Sequence, residues 1–172
     1  ATYEIQFGSV ERPTHKNTSW DAARFEVCGH KYMDISNYGY GVSLLNDCKY
    51  GYNVDNGTMK LSLFKCATYP DPDADKGEHI FTYSLFPHAG NYREAGTVQL
   101  AYEINNPLKA FSVKKQDGKL PEKYSFVSCS GDNFIVETVK KAENSDDIIV
   151  RGYESYNKKT DVTLRFGFDV KE

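Results

Sequence analysis

Apolar and polar residues alternate with period two in several short runs of the chain, and no run of helical period stands out, so the pattern predicts sheet. Residues 2–7 alternate as a first strand. Residues 10–21 (VERPTHKNTSWD) are irregular, because Pro13 removes a backbone donor and Thr14, Asn17, Thr18 and Ser19 favour turns. Alternation returns over 23–35, with Ala23, Phe25, Val27 and Gly29 on one face and Arg24, Glu26, Cys28 and His30 on the other. Residues 40–65 read as two strands and a turn. Val42, Leu44 and Leu45 form an apolar run that ends at the polar cluster 46–49. Asp55-Asn56-Gly57 marks a tight reversal, and Met59, Leu61 and Leu63 then alternate with Lys60, Ser62 and Phe64.

Residues 69–78 (YPDPDADKGE) form a proline- and acid-rich loop. Asp71, Asp73 and Asp75 have the spacing of a calcium loop, but Lys76 and Thr82 stand where such a loop needs Gly and Glu. Residues 79–86 predict a strand stopped by Pro87-His88-Ala89-Gly90. Between 92 and 102 a short helix competes with a strand, and Gly96, Thr97 and Val98 favour a strand over 97–104, broken by Asn105-Asn106-Pro107. Residues 114–123 (KKQDGKLPEK) are linker-like. Further strands follow at 125–127, 134–139, 148–156 and 162–170, with Val162, Leu164, Phe166, Phe168 and Val170 facing one way. Many short strands separated by turn signals predict an all-β, antiparallel β-sandwich. The expected layout is one sandwich region over 1–172, with sub-sheets 1–107 and 124–172 joined by a linker at 108–123. The alternation runs up to both ends of the chain, so the expectation is a piece of a longer protein, truncated at its C-terminal end.

Composition sharpens this little. The aromatic content of 14%, with 13 Tyr and 10 Phe, suits strands. A chain of this length buries roughly 70% of its unfolded surface and needs no staples. The net charge of −3 leaves no electrostatic footprint for nucleic acid. No apolar run is long enough to span a membrane. The four cysteines, at 28, 48, 66 and 129, contain no CxxC pair, and their expected state is buried free thiols in a reducing cytoplasm.

Reaction motifs are missing. There is no HExxH, and the histidines at 15, 30, 79 and 88 show no ligand spacing, so no metal site is expected in this stretch. No GxGxxG, Walker loop or GxSxG occurs. The 24 carboxylates allow many chance pairs, and nothing selects one as a hydrolase dyad. From residue patterns alone the chain is a β domain of unstated function. Trp20 is either a core plug or, like Tyr50, a stacking face for a sugar.

Several strings nevertheless point to a family. ATYEIQFG (1–8), ERPTHKNTSWDAARFEVC (11–28), GVSLLNDCKYGY (41–52), LSLFK (61–65), DKGEHIFTYSLFPHAG (75–90) and VETVKKAE (136–143) resemble the C-terminal β region of glycoside hydrolase family 38 α-mannosidases, in their cytosolic and bacterial branch. RGYESY (151–156) resembles it more loosely.

The resemblance implies a supersandwich of the galactose-mutarotase-like type. It implies a retaining α-mannosidase acting on terminal α-D-mannosyl residues of oligosaccharides, with catalytic aspartate and zinc in an N-terminal domain outside this chain. On that reading this chain holds no catalytic residue and no cofactor, is inactive alone, is cytoplasmic, and has as partners the N-terminal catalytic domain and a mannose-containing oligosaccharide. The resemblance places a basic residue near the sugar, here Lys65, whose point charge lacks the bidentate fork of arginine. Asn46, Asp47 and Tyr50 are the further candidates for the sugar-facing wall, since planar polar groups and aromatic faces grip sugars. Asn46 and Asp47 serve equally well as braces at a strand end. Arg12, His15, Trp20 and Asp21 are candidates for the domain junction. The competing reading is a free-standing carbohydrate-binding or interaction module, with Trp20 or Tyr50 in solvent.

Overall fold

A computed structural model describes residues 1–171 of the chain. They divide into two compact units, Ala1–Pro107 and Leu108 onward. Every strand pairing is antiparallel.

The first unit holds β1 (Thr2–Ile5), β2 (Gly8–Glu11), α1 (Ser19–Ala23), β3 (Val27–Cys28), β4 (Tyr32–Asn37), β5 (Tyr40–Asn46), β6 (Gly51–Asp55), β7 (Thr58–Ser62), β8 (Tyr83–Ala89) and α2 (Thr97–Asn105). Its strands form a five-stranded sheet in the order β2-β1-β4-β5-β8 and a three-stranded sheet in the order β3-β6-β7. Tyr3, Met33 and Leu44 from the first sheet meet Tyr52 and Val54 from the second, and this cluster is the core. The Tyr3 and Tyr52 rings meet edge to face at 6.0 Å.

The other face of the large sheet carries α2. Period two places Tyr32, Asp34, Ser43 and Leu45 on that face, and all four are buried. The helix buries Thr97, Val98 and Ala101. Here the expected strand over 97–104 is overturned. The β-branched Thr97 and Val98 favour a strand locally, but their spacing to Ala101 makes a helical stripe that the sheet covers, and burial outweighs propensity. Gly96 starts the helix in the left-handed conformation (φ 71°).

Other expectations shift. The 40–65 stretch is three strands rather than two, because Asn46 turns the chain from β5 in one sheet to β6 in the other. The predicted tight turn joins β6 to β7, with Asn56 and Gly57 both at positive φ. The strand expected over 23–35 is broken, since only Val27–Cys28 and Tyr32–Asn37 pair and residues 22–26 are exposed. The irregular loop contains α1, capped by Thr18 and Asp21 in a capping box. Pro87 does not stop β8. It lies opposite Val42 within the ladder, and β8 is an edge strand, where a missing N–H costs little.

The second unit pairs β9 (Val127–Cys129) with β12 (Leu164–Phe166), and β10 (Phe134–Lys141) with β11 (Ile148–Glu154). The expected strand over 162–170 is therefore only three residues long. A bulge between Val136 and Thr138 shifts the β10–β11 register. Asn133, Ser155 and Tyr156 are buried at one end of this hairpin. Asn133 donates to Glu154 Oε1 at 2.6 Å and to Thr160 Oγ1 at 2.7 Å, and its carbonyl accepts from the Ser155 amide at 2.8 Å. Phe126, Phe166 and Phe168 stack nearby, with 4.5 Å between the Phe126 and Phe168 centroids.

All four cysteines are free, but Cys28, Cys48 and Cys66 are exposed rather than buried. Cys28 alternates with Val27, which packs on the core, and so takes the outward face of β3, while Cys48 and Cys66 lie outside the strands.

Candidate functional site

The polar turn after β5 borders a cavity of about 330 Å³, a volume at the low end of the range for small-ligand pockets. Its walls include His30, Lys31, Asn46, Asp47, Tyr50 and Asn105. The structure thus brings together three of the four residues predicted for a sugar-facing wall. Lys65 is exposed, follows Phe64 in the chain beyond β7, and is outside this lining.

Each wall residue is held differently. The Asn46 side chain is 2% exposed overall and fully engaged. Its Nδ2 donates to the His30 carbonyl at 3.1 Å and to the Tyr52 hydroxyl, while its Oδ1 accepts from the Cys48 amide at 3.0 Å and the Lys49 amide at 2.5 Å. Asn105, at the end of α2, donates to the Asn46 carbonyl at 3.0 Å and so ties the helix to the same turn. This is the geometry of a brace, and it leaves the Asn46 amide no spare group for a ligand.

Asp47 keeps one. Its amide donates to the Thr82 carbonyl at 3.2 Å, and the Thr82 amide returns to both carboxylate oxygens at 3.0 Å. The Cys48 thiol and the Thr82 N–H hold the carboxyl below the ordinary aspartate range, against a smaller opposing effect of burial. Asp47 is therefore an ionised acceptor at the cavity wall, with acceptor capacity beyond the single Thr82 N–H, and it is the only carboxylate among the lining residues. Tyr50 is 57% exposed and meets the His30 ring edge-on at 5.6 Å.

Lys31 closes the other side. Its amide and its ammonium bond the buried Glu4 carboxylate at 2.6 Å and 2.9 Å, and its Nζ lies 4.5 Å from the Tyr102 ring centroid. Desolvation pulls the Lys31 pKa down, but the Glu4 hydrogen bond and charge outweigh it and hold it above the ordinary lysine value. Lys31 and Asn105 were not singled out from the sequence, and His30 entered only as one of the polar row Arg24, Glu26, Cys28 and His30 on a face of the expected 23–35 strand.

Beside the cavity an aromatic group lines the segment that Asp47 anchors. Phe64 packs against His79 at 5.0 Å and Phe81 at 6.1 Å, Phe81 stacks on Tyr83 at 6.5 Å, and Lys49 Nζ lies 5.0 Å from the Phe81 centroid.

The four junction candidates are neighbours around α1. Asp21 caps the helix by accepting from the Thr18 amide at 3.0 Å, and it sits 3.5 Å from His15 Nδ1. The Thr18 hydroxyl is the main cause holding the Asp21 carboxyl below its usual range. Arg12 stacks over the Tyr3 ring at 4.8 Å, and Trp20 is 78% exposed.

One Ser-His-Asp group does assemble, but not as a reaction centre. Ser43 Oγ, His88 Nε2 and Asp34 Oδ2 lie within 3.2 Å of one another beneath α2. The serine donates directly to the aspartate, and the same histidine nitrogen faces both partners. A relay needs the two nitrogens to face opposite partners. All three side chains are buried, and Thr97 from the helix bonds Ser43 at 2.8 Å. The group fastens helix to sheet. Among the described residues no three of His, Cys, Asp and Glu are arranged to hold a metal ion. No helix among them is long and apolar enough to cross a membrane.

By fold, these units form an antiparallel β-sandwich region of the kind found in larger glycoside hydrolases. An alpha-mannosidase from Enterococcus faecalis V583 superposes with a TM-score of 0.83 at 21% identity, over 96% of this chain and 20% of that one. The Glycosyl hydrolases family 38 C-terminal domain matches residues 1–73, and the family 38 C-terminal beta sandwich domain matches residues 133–172. Alpha-mannosidase 2C1 of Homo sapiens is 45% identical over 175 residues, covering 100% of this chain and 17% of that protein. Alpha-mannosidase G of Dictyostelium discoideum is 46% identical over 167 residues, covering 93% of this chain and 15% of that protein. The chain belongs to glycosyl hydrolase family 38, as part of its C-terminal β region. It spans less than one fifth of the length of these relatives.

Proposed function

We propose that this chain is the supporting β region of an α-mannosidase that hydrolyses terminal α-D-mannosyl residues of oligosaccharides. The observation that supports this most is the 45% identity to an alpha-mannosidase maintained across the whole chain. On this reading the catalytic aspartate and zinc belong to the N-terminal remainder of the same polypeptide, and the enzyme works in the cytoplasm. This chain contributes no acid, base or nucleophile and is inactive alone. Its part is to brace the catalytic domain and to supply one wall of the sugar pocket. Asp47 accepts hydrogen bonds from sugar hydroxyls, Tyr50 offers an aromatic face, Lys65 adds a charge from the neighbouring loop, and Asn46 holds the turn in shape.

The 172-residue chain and the full-length enzyme are to be compared on an aryl α-mannoside. Turnover by the full-length enzyme and none by the short chain is the expected result, and turnover by the short chain sinks the proposal. In the full-length enzyme, Asp47→Ala and Tyr50→Ala are expected to raise KM by about tenfold each, as for the loss of one hydrogen bond or stacking contact. The exposure of Trp20 and Tyr50 also suits a free-standing carbohydrate-binding module. Saturable binding of mannose oligosaccharides to the short chain, read from Trp20 fluorescence, would favour that reading.

A further inference from the structure

Arg12 carries a buried donor without an acceptor. Its side chain leaves the end of β2, lies over the Tyr3 ring, and lines two cavities. Nη1 is screened from solvent, yet no hydrogen-bond partner reaches it among the described residues. A charged donor in that state has lost its water and gained no hydrogen bond in return, and native structures keep few such groups. Two neighbouring basic side chains do have acidic partners: Lys16 Nζ pairs with Asp55 at 3.1 Å, and His15 Nδ1 lies 3.5 Å from Asp21. Glu11 and Asp34 line the broader cavity, but neither satisfies Nη1.

Two large aromatic side chains are exposed on the segment that follows Arg12. Helix α1 buries none of its residues. Trp20 is 78% exposed and Phe25 is 70% exposed, while Asp21, next to Trp20, lines the same narrow cavity as Arg12. Arginine and large aromatics together are the composition of an interface centre.

We infer that Arg12, Trp20 and Phe25 form the seat of the catalytic remainder of the same polypeptide, which brings an Asp or Glu carboxylate to Arg12 and covers Trp20. This rests on the functional reading above. Two observations select that occupant. The unsatisfied group is a guanidinium, whose planar fork matches a carboxylate. The chain accounts for only 17% of the human relative, which leaves a far larger body to be seated.

Hydroxyl-radical footprinting of the full-length enzyme, read at Trp20 by mass spectrometry, tests this. Free tryptophan sets the intrinsic rate. Wild-type enzyme is expected to protect Trp20 by about tenfold or more, as at a water-excluding interface centre. Protection near unity overturns the seat. The charge claim is tested with Arg12→Glu and Arg12→Gln: repulsion of the incoming carboxylate is expected to cut protection at least about threefold further in the glutamate variant than in the glutamine one. Equal protection in the two variants overturns the carboxylate partner. Turnover of an aryl α-mannoside by the same wild-type preparation is scored separately. Turnover with an unprotected Trp20 overturns the seat and leaves the functional reading standing. A protected Trp20 without turnover supports the seat and overturns the functional reading.

Discussion

His88 Nε2 lies 2.8 Å from Asp34 Oδ2, with both side chains at most 3% exposed, between the edge strand β8 and the centre of the five-stranded sheet. Ser43 and Ser36 bond the same carboxylate, and Thr97 joins through Ser43, so five side chains from four elements share one hydrogen-bond network. The network adds to the buried stripe that holds α2, a short helix without a side-chain cap, by fastening Thr97 at its first turn to the sheet. Asp34→Ala should destabilise the first unit by about 3–5 kcal/mol, because it strands the partners of a buried polar pair. Ser43→Ala should cost less, about 1–3 kcal/mol. Urea denaturation followed by circular dichroism measures both, and equal small effects would show that the network is dispensable.

Gly41 is the position that lets this network close. A Cβ there would collide with the His88 ring and the Ser36 hydroxyl. Gly41→Ala should therefore destabilise by roughly 1–3 kcal/mol, as overpacking does, although its backbone conformation is open to alanine. A denaturation midpoint unchanged from wild type would contradict this.

Asn46 separates bracing from binding. With its amide engaged by His30, Tyr52, Cys48 and Lys49, Asn46→Ala should lower stability by about 2–4 kcal/mol through several buried bonds left unmade. Asp47→Ala should change stability by no more than about 1 kcal/mol, because the hydrogen bonds its carboxylate accepts from Thr82 lie at the solvent-exposed surface. The two variants are distinguished by denaturation in parallel with the KM measurement. If Asn46→Ala unfolds like wild type, the brace assignment is wrong.

In the second unit the acid limb of stability should depend on Glu154. Burial raises its pKa, but the amides of Lys158 and Tyr156 and the Asn133 side chain outweigh that and hold it below the ordinary value of 4.5. A depressed carboxyl stabilises fully above its unfolded pKa and loses that contribution as pH falls through the folded value. Protection of the Tyr156 and Lys158 amides, measured against their intrinsic exchange rates at each pH, should therefore fall as the solution is acidified below about pH 4.5. Glu154→Gln should flatten that dependence, and a steep limb persisting in the variant would point to another group.

The unequal legibility of this chain follows from the range of the forces involved. The Asn56-Gly57 reversal was readable because positive φ at two successive residues is a local requirement. The capping box Thr18/Asp21 was equally local, yet lay hidden because Asp stands where Glu is usual. The turn of polar residues after Leu45 was legible as a candidate wall, but which of its side chains are used internally was not. The Asn46 amide is consumed in part by the His30 carbonyl, 16 residues away, and no period or spacing encodes that partner.

By itself the sequence determined that the chain is built of antiparallel strands, where its tight turns fall, and to which family it belongs, because alternation, turn chemistry and distinctive strings are properties of neighbouring residues. Only the tertiary structure decided that Thr97–Asn105 is a helix, that β8 runs through Pro87, that Asn46 is a brace while Asp47 keeps acceptor capacity at the cavity wall, and that Arg12 Nη1 lacks a partner. Each of those outcomes depends on what a distant segment covers or leaves bare. Burial and pairing across the fold are decided in three dimensions, and they outweigh local preference wherever the two conflict.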